Sequence, residues 1–462
     1  MVINPHIFRA YDIRGKAGTD ITPDICRVIG QAFGTVLREK YQIDRPKVVV
    51  GWDARTHSPE LAEAMIEGLL NAGCHTLVMG QTPSPLNYFT ICTQELDGGI
   101  QITASHNPKE DNGIKLQVRD AEAYSGEDLQ DLLRRIEAGN VVTGEGSLED
   151  IDAVAPYLAF LEEMFGGAAK GLKVVVDTGN GIAGPVYMEG LQRAGADVIG
   201  LYTEPDGRFP NHAADPSQHS TLKDLQAKVT ETGAHLGLAF DGDGDRLGLV
   251  DEKGTIRTPD EVLLLLAEDL LTREPEATVV FTVSNSGILE TEIKRLGGLP
   301  VMCKVGHSYV EHAMRENDAL LGGEQSGHFF PAEGYFGFDD ALVAALRFVQ
   351  IVKTKGKPLT KILSAFPAVY QAPERRPFCP DDRKAAIVRS VTDHFAASYP
   401  VITLDGARID FGQGAWAGIR QSNTAPKLSI CVEARSPEKL KEVEDIILGH
   451  LKTYPEVLWN DQ

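Results

Sequence analysis

At 462 residues and 50.1 kDa the chain is too long for one ordinary hydrophobic core and, at about 100–200 residues per domain, predicts three or four domains. Its 42% hydrophobic and 24% charged content is that of a core-forming protein and excludes a mainly disordered one. A net charge of −21 excludes nucleic acid or an anionic membrane as the main partner, because both need a basic face, and any phosphate site must be built locally against that field.

The opening residues, MVINPHIFRAYDIRG, carry Arg9, Asp12 and Arg14 in place of the apolar stretch of a secretory signal. No apolar run of about 18 residues occurs, so no membrane span is expected, and the cytoplasm is the expected location. Cys26, Cys74, Cys92, Cys303, Cys379 and Cys431 contain no C-x-x-C pair, which predicts reduced, mostly buried thiols rather than a disulfide framework or a zinc ribbon.

Along the chain a strand–helix–strand unit recurs three times, which predicts related α/β domains. The first joins KVVVGWD (Lys47–Asp53), SPELAEAMIEGLLNAG (Ser58–Gly73) and HTLVMG. The second joins KVVVDTGNG (Lys173–Gly181), PVYMEGLQRAG (Pro185–Gly195) and ADVIGL; the third joins ATVVFTV (Ala277–Val283), GILETEIKRLGG (Gly287–Gly298) and LPVMC. Each helix ends on glycine, a C-terminal stop. The C-terminal part departs from this plan, since VITLDGARIDF predicts a hairpin about Asp405-Gly406, LSICVEA a strand, and SPEKLKEVEDIILGHL a capped helix. The fold class is therefore α/β, with three similar mixed α/β domains (1–152, 153–254, 255–368) and a C-terminal α+β domain (369–462).

Four loops carry chemistry. In TASHNPKEDNGIKL (Thr103–Leu116), Ser105 sits in a tight polar turn after a strand-like IQI, where backbone N–H groups and Lys115 suit a phosphate; taken in isolation, S-H-N-P reads first as a self-capped turn. In DGDGDR (Asp241–Arg246), three alternate carboxylates between apolar strands crowd together comfortably only with a cation, and hard oxygen donors suit Mg²⁺ or Ca²⁺; a solvated acidic turn is the plainer reading, disfavoured because strands pin its ends. An EF-hand is excluded because Arg246 stands where that loop needs glycine and the flanks read as strands. GGEQSGHFF (Gly322–Phe330) places Glu324, Ser326 and His328 at alternate positions, which share one face if the segment is extended, a set suited to sugar hydroxyls and proton transfer; a hairpin turn with a structural histidine fits the same residues. RQSNTAPK (Arg420–Lys427) combines a guanidinium fork with small polar donors, as a phosphate cradle does; a surface turn with incidental charges fits the same residues.

Taken in this order, TASHNP, DGDGDR, GEQSGH and RQSNT resemble the α-D-phosphohexomutase superfamily over essentially the whole chain, and FRAYDIRG (Phe8–Gly15) with S-N-T in the last loop looks like its bacterial phosphomannomutase/phosphoglucomutase branch. The resemblance implies a four-domain, heart-shaped molecule around a central cleft. It implies transfer of phosphoryl between the 1- and 6-positions of glucose or mannose phosphate through a phosphorylated Ser105, with hexose 1,6-bisphosphate as intermediate and activator. It also implies Mg²⁺ held by that phosphate and by Asp241, Asp243 and Asp245. Tyr11, Arg14, His106, Lys115 and Arg246 would surround the reacting phosphate, Lys115 taking part in proton transfer. Glu324 and Ser326 would hold the sugar's 3- and 4-hydroxyls, His307 (in KVGHSYV) and His328 would line the cleft, and Arg420, Ser422, Asn423 and Thr424 would bind the phosphate that is not reacting. Hexose phosphates are the implied partners, and the chain is expected as a monomer or weak dimer.

Two departures stand out. The branch commonly has a lysine just after the third domain's first strand, where this chain has TVSNSG. The Glu-Gln-Ser-Gly-His loop also looks like the phosphoglucosamine mutase branch, although that branch opens with Gly-Thr-Asp-Gly and ends its phosphate loop with Ser-Gly-Thr. Phosphoglucosamine mutase is thus the alternative within the superfamily. A phosphatase using the Asp cluster as nucleophile, or a non-enzymatic sugar-phosphate binding protein, are the alternatives outside it.

Overall fold

A computed structural model describes residues 3–422 and 425–459, and the chain folds into two compact units, Met1–Leu266 with Ser326–Ile362, and Ala267–Gln325 with Leu363–Gln462. In the first unit a six-stranded sheet runs, in spatial order, Ile13–Lys16, Asp111–Val118, Gly98–Ile102, Lys47–Trp52, His75–Gln81 and Ser147–Asp150. Lys47–Trp52 is parallel to both His75–Gln81 and Gly98–Ile102, as strands joined by crossovers through helices such as Ser58–Asn71 are. Gly73, at φ 86, ends that helix in the left-handed region that glycine enters at least cost.

The strand Asp111–Val118 then returns antiparallel to Gly98–Ile102. This reversal forms the loop 103–110 at the carboxyl end of a parallel strand, the usual place for a ligand in an α/β sheet. It also sets Lys115 opposite Gln101, one step from the loop. The second sheet of this unit runs Ile256–Arg257, Leu247–Asp251, Leu236–Phe240, Lys173–Asp177 and Asp197–Leu201. Leu236–Phe240 and Leu247–Asp251 are an antiparallel hairpin closed by the pair Phe240–Leu247, so Asp241–Arg246 is a loop pinned by two strands. The central strands Lys173–Asp177 and Leu236–Phe240 are buried, with Val174, Val175, Val176, Leu236 and Leu238 inaccessible, which is why they read as unbroken apolar runs.

In the second unit Leu299–Cys303, Thr278–Thr282 and Leu321–Gly323 are parallel. An antiparallel sheet runs Tyr370–Gln371, Leu428–Ala434, Trp416–Gln421, Ala407–Asp410 and Val401–Ile402, with Gly406 at φ 80 in the expected hairpin. Helices Asp381–Ala396 and Pro437–Leu451 cover it through a core that includes Val391, Phe395, Ile409, Ile419, Ile447 and Leu451. Ser436 Oγ caps the last helix by accepting from Lys439 N at 3.2 Å. The three strand–helix–strand units and the α+β C-terminal part all form, a multidomain α/β fold. No helix among the described residues is long and apolar enough to cross a membrane.

The two C-terminal helices meet at stacked imidazoles, His394 and His450, with ring centroids 4.0 Å apart. Burial first, and then the charge His394 would carry, lower the His450 pKa below its ordinary value. Unfolding therefore takes up protons near pH 6. The stabilisation is present above the unfolded-state pKa of about 6.5 and is lost as pH falls from there through the lower folded-state value. The unfolding midpoint is expected to rise between pH 5 and pH 7.5, and His450→Gln should flatten that rise. An unchanged profile in the variant would show that the stack does not titrate differently on folding.

Candidate active site

Two loops of the first unit, distant in sequence, meet. Ser105 Oγ donates to Asp241 Oδ2 at 2.6 Å and lies 3.1 Å from His106 Nδ1. Ser105 itself is held at φ 50, a left-handed conformation uncommon outside glycine. The approach is close enough to dictate sequence: a Cβ on Gly242 would fall 2.4 Å from Ser105 O. Asp241 Oδ1 accepts from the N–H groups of Gly244, Asp245 and Arg246 at 3.0, 3.1 and 3.2 Å, so this carboxylate organises its own loop and leaves Oδ2 to face the serine.

Lys115 Nζ donates to Asp243 Oδ2 at 2.8 Å and to Asp245 Oδ2. Arg14 reaches the same loop through Asn107 Oδ1 at 3.1 Å and is steadied by Asp12 at 2.7 Å. Arg246 Nε lies 4.0 Å from Asp241 Oδ2 and donates to His328 Nε2 at 3.2 Å. His328 Nδ1 pairs with Ser326 Oγ at 2.9 Å, and an antiparallel bridge joins Arg246 to His328. The structure thus groups Ser105, His106, Lys115, Arg14, Arg246, Asp241, Asp243, Asp245, Ser326 and His328. Tyr11 is half-buried in the bend before the strand that carries Arg14.

The expected one-sided, extended arrangement of residues 324–328 is not found. Gly327 at φ 93 turns the chain, and a strict period-two reading fails wherever such a residue interrupts the pleat. The rejection of an EF-hand stands on geometry as well, for Glu252, its twelfth-position candidate, accepts from Thr360 Oγ1 at 2.5 Å instead.

The electrostatics follow from burying three carboxylates. Burial, then the charges of Asp245 and Asp243, push the Asp241 carboxyl well up. Asp245 moves the other way: burial opposes ionisation, but Lys115, His328 and Arg246 outweigh it and hold the carboxyl well below its usual range. Burial also opposes the Lys115 ammonium, yet Asp243 and Asp245 raise its pKa well above the ordinary value. His106 is driven well down by burial and then by Arg246 and Arg14, so it is a neutral imidazole at pH 7.

A divalent cation suits this donor set. Oxygens of Asp241, Asp243 and Asp245 lie within 4.8 Å of one another, all buried, and among the described residues Asp243 Oδ1 meets no hydrogen-bond donor. Buried carboxylate oxygens without partners are costly unless a cation takes them, and an all-oxygen set is that of a hard ion.

In the second unit Glu324 is buried and its Oε1 accepts from Gly306 N at 2.8 Å, directly before His307. Arg420 lies on the strand Trp416–Gln421 opposite Ser429. Ser422 is buried, with its N–H on Lys427 O at 2.9 Å and its carbonyl accepting from Lys384 Nζ at 2.7 Å. Asn423 and Thr424 lie outside the described residues.

Residues 5–141, 155–254 and 258–370 match the families described as phosphoglucomutase/phosphomannomutase alpha/beta/alpha domains I, II and III, and residues 360–450 match the C-terminal domain of the same set. A phosphomannomutase/phosphoglucomutase of Pseudomonas aeruginosa is 40% identical over 447 residues, 96% of this chain and 95% of the relative. The chain belongs to the phosphoglucomutase/phosphomannomutase family. A phosphoglucomutase of Neisseria gonorrhoeae is 34% identical, covering 99% of each chain. A crystal structure of a phosphoglucomutase/phosphomannomutase family protein from Burkholderia thailandensis superposes with a TM-score of 0.90 at 35% identity, covering 98% of each chain.

Sequence reasoning missed several residues that position this family member's loops. Ser84 Oγ donates to Asp243 Oδ2 at 2.6 Å and its N–H to the Asp243 carbonyl at 2.9 Å. Asp53 accepts from Thr103 Oγ1 at 2.8 Å. The segment TVSNSG is held from within the same unit by Arg408, on the strand Ala407–Asp410, which donates to the carbonyls of Val283 and, at 2.8 Å, of Asn285. The one signal available for the first sheet was GWDAR, a charged pair directly after an apolar strand; Ser84 and Arg408 had none.

Proposed function

We propose that the chain catalyses reversible transfer of phosphoryl between the 1- and 6-positions of glucose and mannose phosphates, through phosphorylated Ser105 and a hexose 1,6-bisphosphate, with Mg²⁺ at the Asp cluster. It is an isomerase of the phosphohexomutase type. The observation that carries the mechanism is the 2.6 Å contact of Ser105 Oγ with Asp241 inside a buried carboxylate cluster. A serine hydroxyl there becomes a phosphate ester beside a hard cation, which supplies charge neutralisation for the transferring oxygens.

The chain's own groups do the rest. Lys115 and Arg246 bring fixed positive charge to the reacting phosphate, Arg14 steadies the loop through Asn107, and neutral His106 holds the serine oxygen. In each half-reaction the serine Oγ–P bond and a sugar O–P bond exchange, with the hydroxyl proton passing to a base and the departing oxygen regaining one. The bisphosphate must reverse between the halves, and Arg420 with Ser422, Asn423 and Thr424 is the proposed grip on the end that is not reacting. Tyr11, His307 and His328 are proposed to line the sugar's path. The division near residues 152, 254 and 368 is proposed as the domain plan, supported by the four matched families.

Glu324 and Ser326 are assigned to the 3- and 4-hydroxyls, which are identical in glucose and mannose. Comparable kcat/KM on the two sugars is therefore expected, with weaker turnover of glucosamine phosphate, and Glu324→Ala should lower both hexoses alike. Discrimination between glucose and mannose beyond about a hundredfold, roughly 2.7 kcal/mol, would reveal a carbon-2 reader and sink this specificity. Dominant turnover of glucosamine phosphate would move the chain to the phosphoglucosamine branch, and net phosphate release would favour a phosphatase.

A further inference from the structure

Arg55 is the largest fully buried polar side chain of the first unit, and its guanidinium is saturated. Nε donates to Asp53 Oδ2 at 3.0 Å. Nη1 donates to the carbonyls of Pro108 and Asp111 at 2.6 and 3.1 Å, and Nη2 to those of Ser105 and Asn107 at 2.8 and 2.7 Å. These use all five of its N–H donors. Asp53 is buried beneath it, accepting also from Ser58 Oγ at 2.6 Å and from Thr103 Oγ1 at 2.8 Å. Thr103 Oγ1 in turn accepts the Ser105 N–H at 2.9 Å. The Phe209 ring covers the guanidinium, 5.3 Å from its Cζ.

We infer that Arg55 is a positioning residue for phosphoryl transfer: it gathers four carbonyls of the Ser105 loop on one fork and so aims the serine and the loop's amides at the phosphate. The inference rests on the proposed phosphoserine reading. A peptide whose carbonyl is turned inward presents its N–H end outward, and among the described residues the His106 N–H meets no acceptor, as a phosphate-facing amide should. Ser105 holds its uncommon positive φ because both its carbonyl, through Arg55, and its N–H, through Thr103 and Asp53, are tied to one buried ion pair. Arg55 cannot itself bind the phosphate, since no N–H remains. It acts through the loop. Lysine keeps the charge but not the planar fork, and reaches these four carbonyls with fewer donors.

The test compares Arg55→Lys and Thr103→Val with wild type in the full chain. Three quantities are read: kcat and KM for glucose 1-phosphate, hydrogen exchange of the amides of residues 105–111, and the unfolding midpoint. Arg55→Lys is expected to lose about a hundredfold in kcat, the effect of a misplacement near 1 Å, with KM within threefold and loop exchange at least tenfold faster. Thr103→Val, which leaves Arg55 in place and cuts only its link to the Ser105 N–H, should lose about tenfold in kcat with the same unchanged KM. A folded Arg55→Lys with kcat within threefold of wild type, or a loss confined to KM, overturns the inference. Should Arg55→Lys not fold, Thr103→Val decides by the same criteria. A wild-type protein without mutase turnover refutes the functional reading instead, and the clamp is then judged by the exchange rates alone, unchanged protection in the variants overturning it.

Discussion

Ser105→Ala is expected to reduce mutase turnover by at least about a thousandfold, while divalent-cation binding persists. A residue that carries the transferred group in a covalent intermediate has no substitute in its own mechanism, and removal of a serine nucleophile elsewhere costs up to about a millionfold. The contrast with Ser84 sharpens the expectation, because both hydroxyls donate to the Asp cluster at 2.6 Å. Ser84 opens the helix Ser84–Thr93 and shares Asp243 Oδ2 with Lys115, so it orients a carboxylate and receives no phosphoryl. Ser84→Ala should weaken cation affinity about tenfold, as loss of a hydrogen bond behind a ligand does, with turnover largely restored by excess cation. Intact mass would show phosphate on Ser105 in wild type and Ser84→Ala and none in Ser105→Ala. Turnover of Ser105→Ala within tenfold of wild type would end the phosphoserine route.

Removing the divalent cation is expected to abolish turnover and to lower the unfolding midpoint together. Three buried carboxylates face the cations of Lys115 and Arg246, and without an ion burial and the charges of Asp245 and Asp243 push the Asp241 carboxyl well up, which a bound cation would relieve. An ion bound only to the folded chain at a hundredfold excess over its Kd adds about 2.7 kcal/mol, which for a chain of this length corresponds to roughly 3 °C. Mg²⁺ added back after chelation should restore both quantities. Ca²⁺ should restore the midpoint but little of the turnover, because its longer and more flexible coordination positions phosphate less tightly. Asp243→Asn should lose the ion-dependent rise in midpoint, and its ion-free form should be less stable than wild type, because Lys115 and Ser84 hold the Asp243 carboxyl below its usual range against burial and the buried Lys115 ammonium loses one of its carboxylate partners. Full activity in excess chelator would take the metal out of the mechanism.

The elements read most securely from sequence were those whose constraint is local. The three strand–helix–strand units and the capped last helix follow from periodicity, glycine stops and a serine cap, and the structure places them where those signals lie. Of the two readings of residues 324–328, the extended one fails because Gly327 breaks the alternation on which it depended, and the turn is what forms. Arg55 was passed over because nothing in GWDAR distinguishes a solvated arginine from one bound to four carbonyls.

By itself the sequence determined the chemistry available: a serine in a tight polar turn, and three hard-oxygen donors between apolar strands. Both are contiguous, so spacing alone specifies them. Only the tertiary structure decided that the two become one site, with Ser105 and Asp241, 136 positions apart, in direct contact. It likewise decided that Ser84, 159 positions away, orients Asp243, and that Arg408, 123 positions from Asn285, holds the TVSNSG segment of the second unit. The physical reason is that a buried polar group is defined by the partner that satisfies it, and chain folding, not chain order, selects that partner.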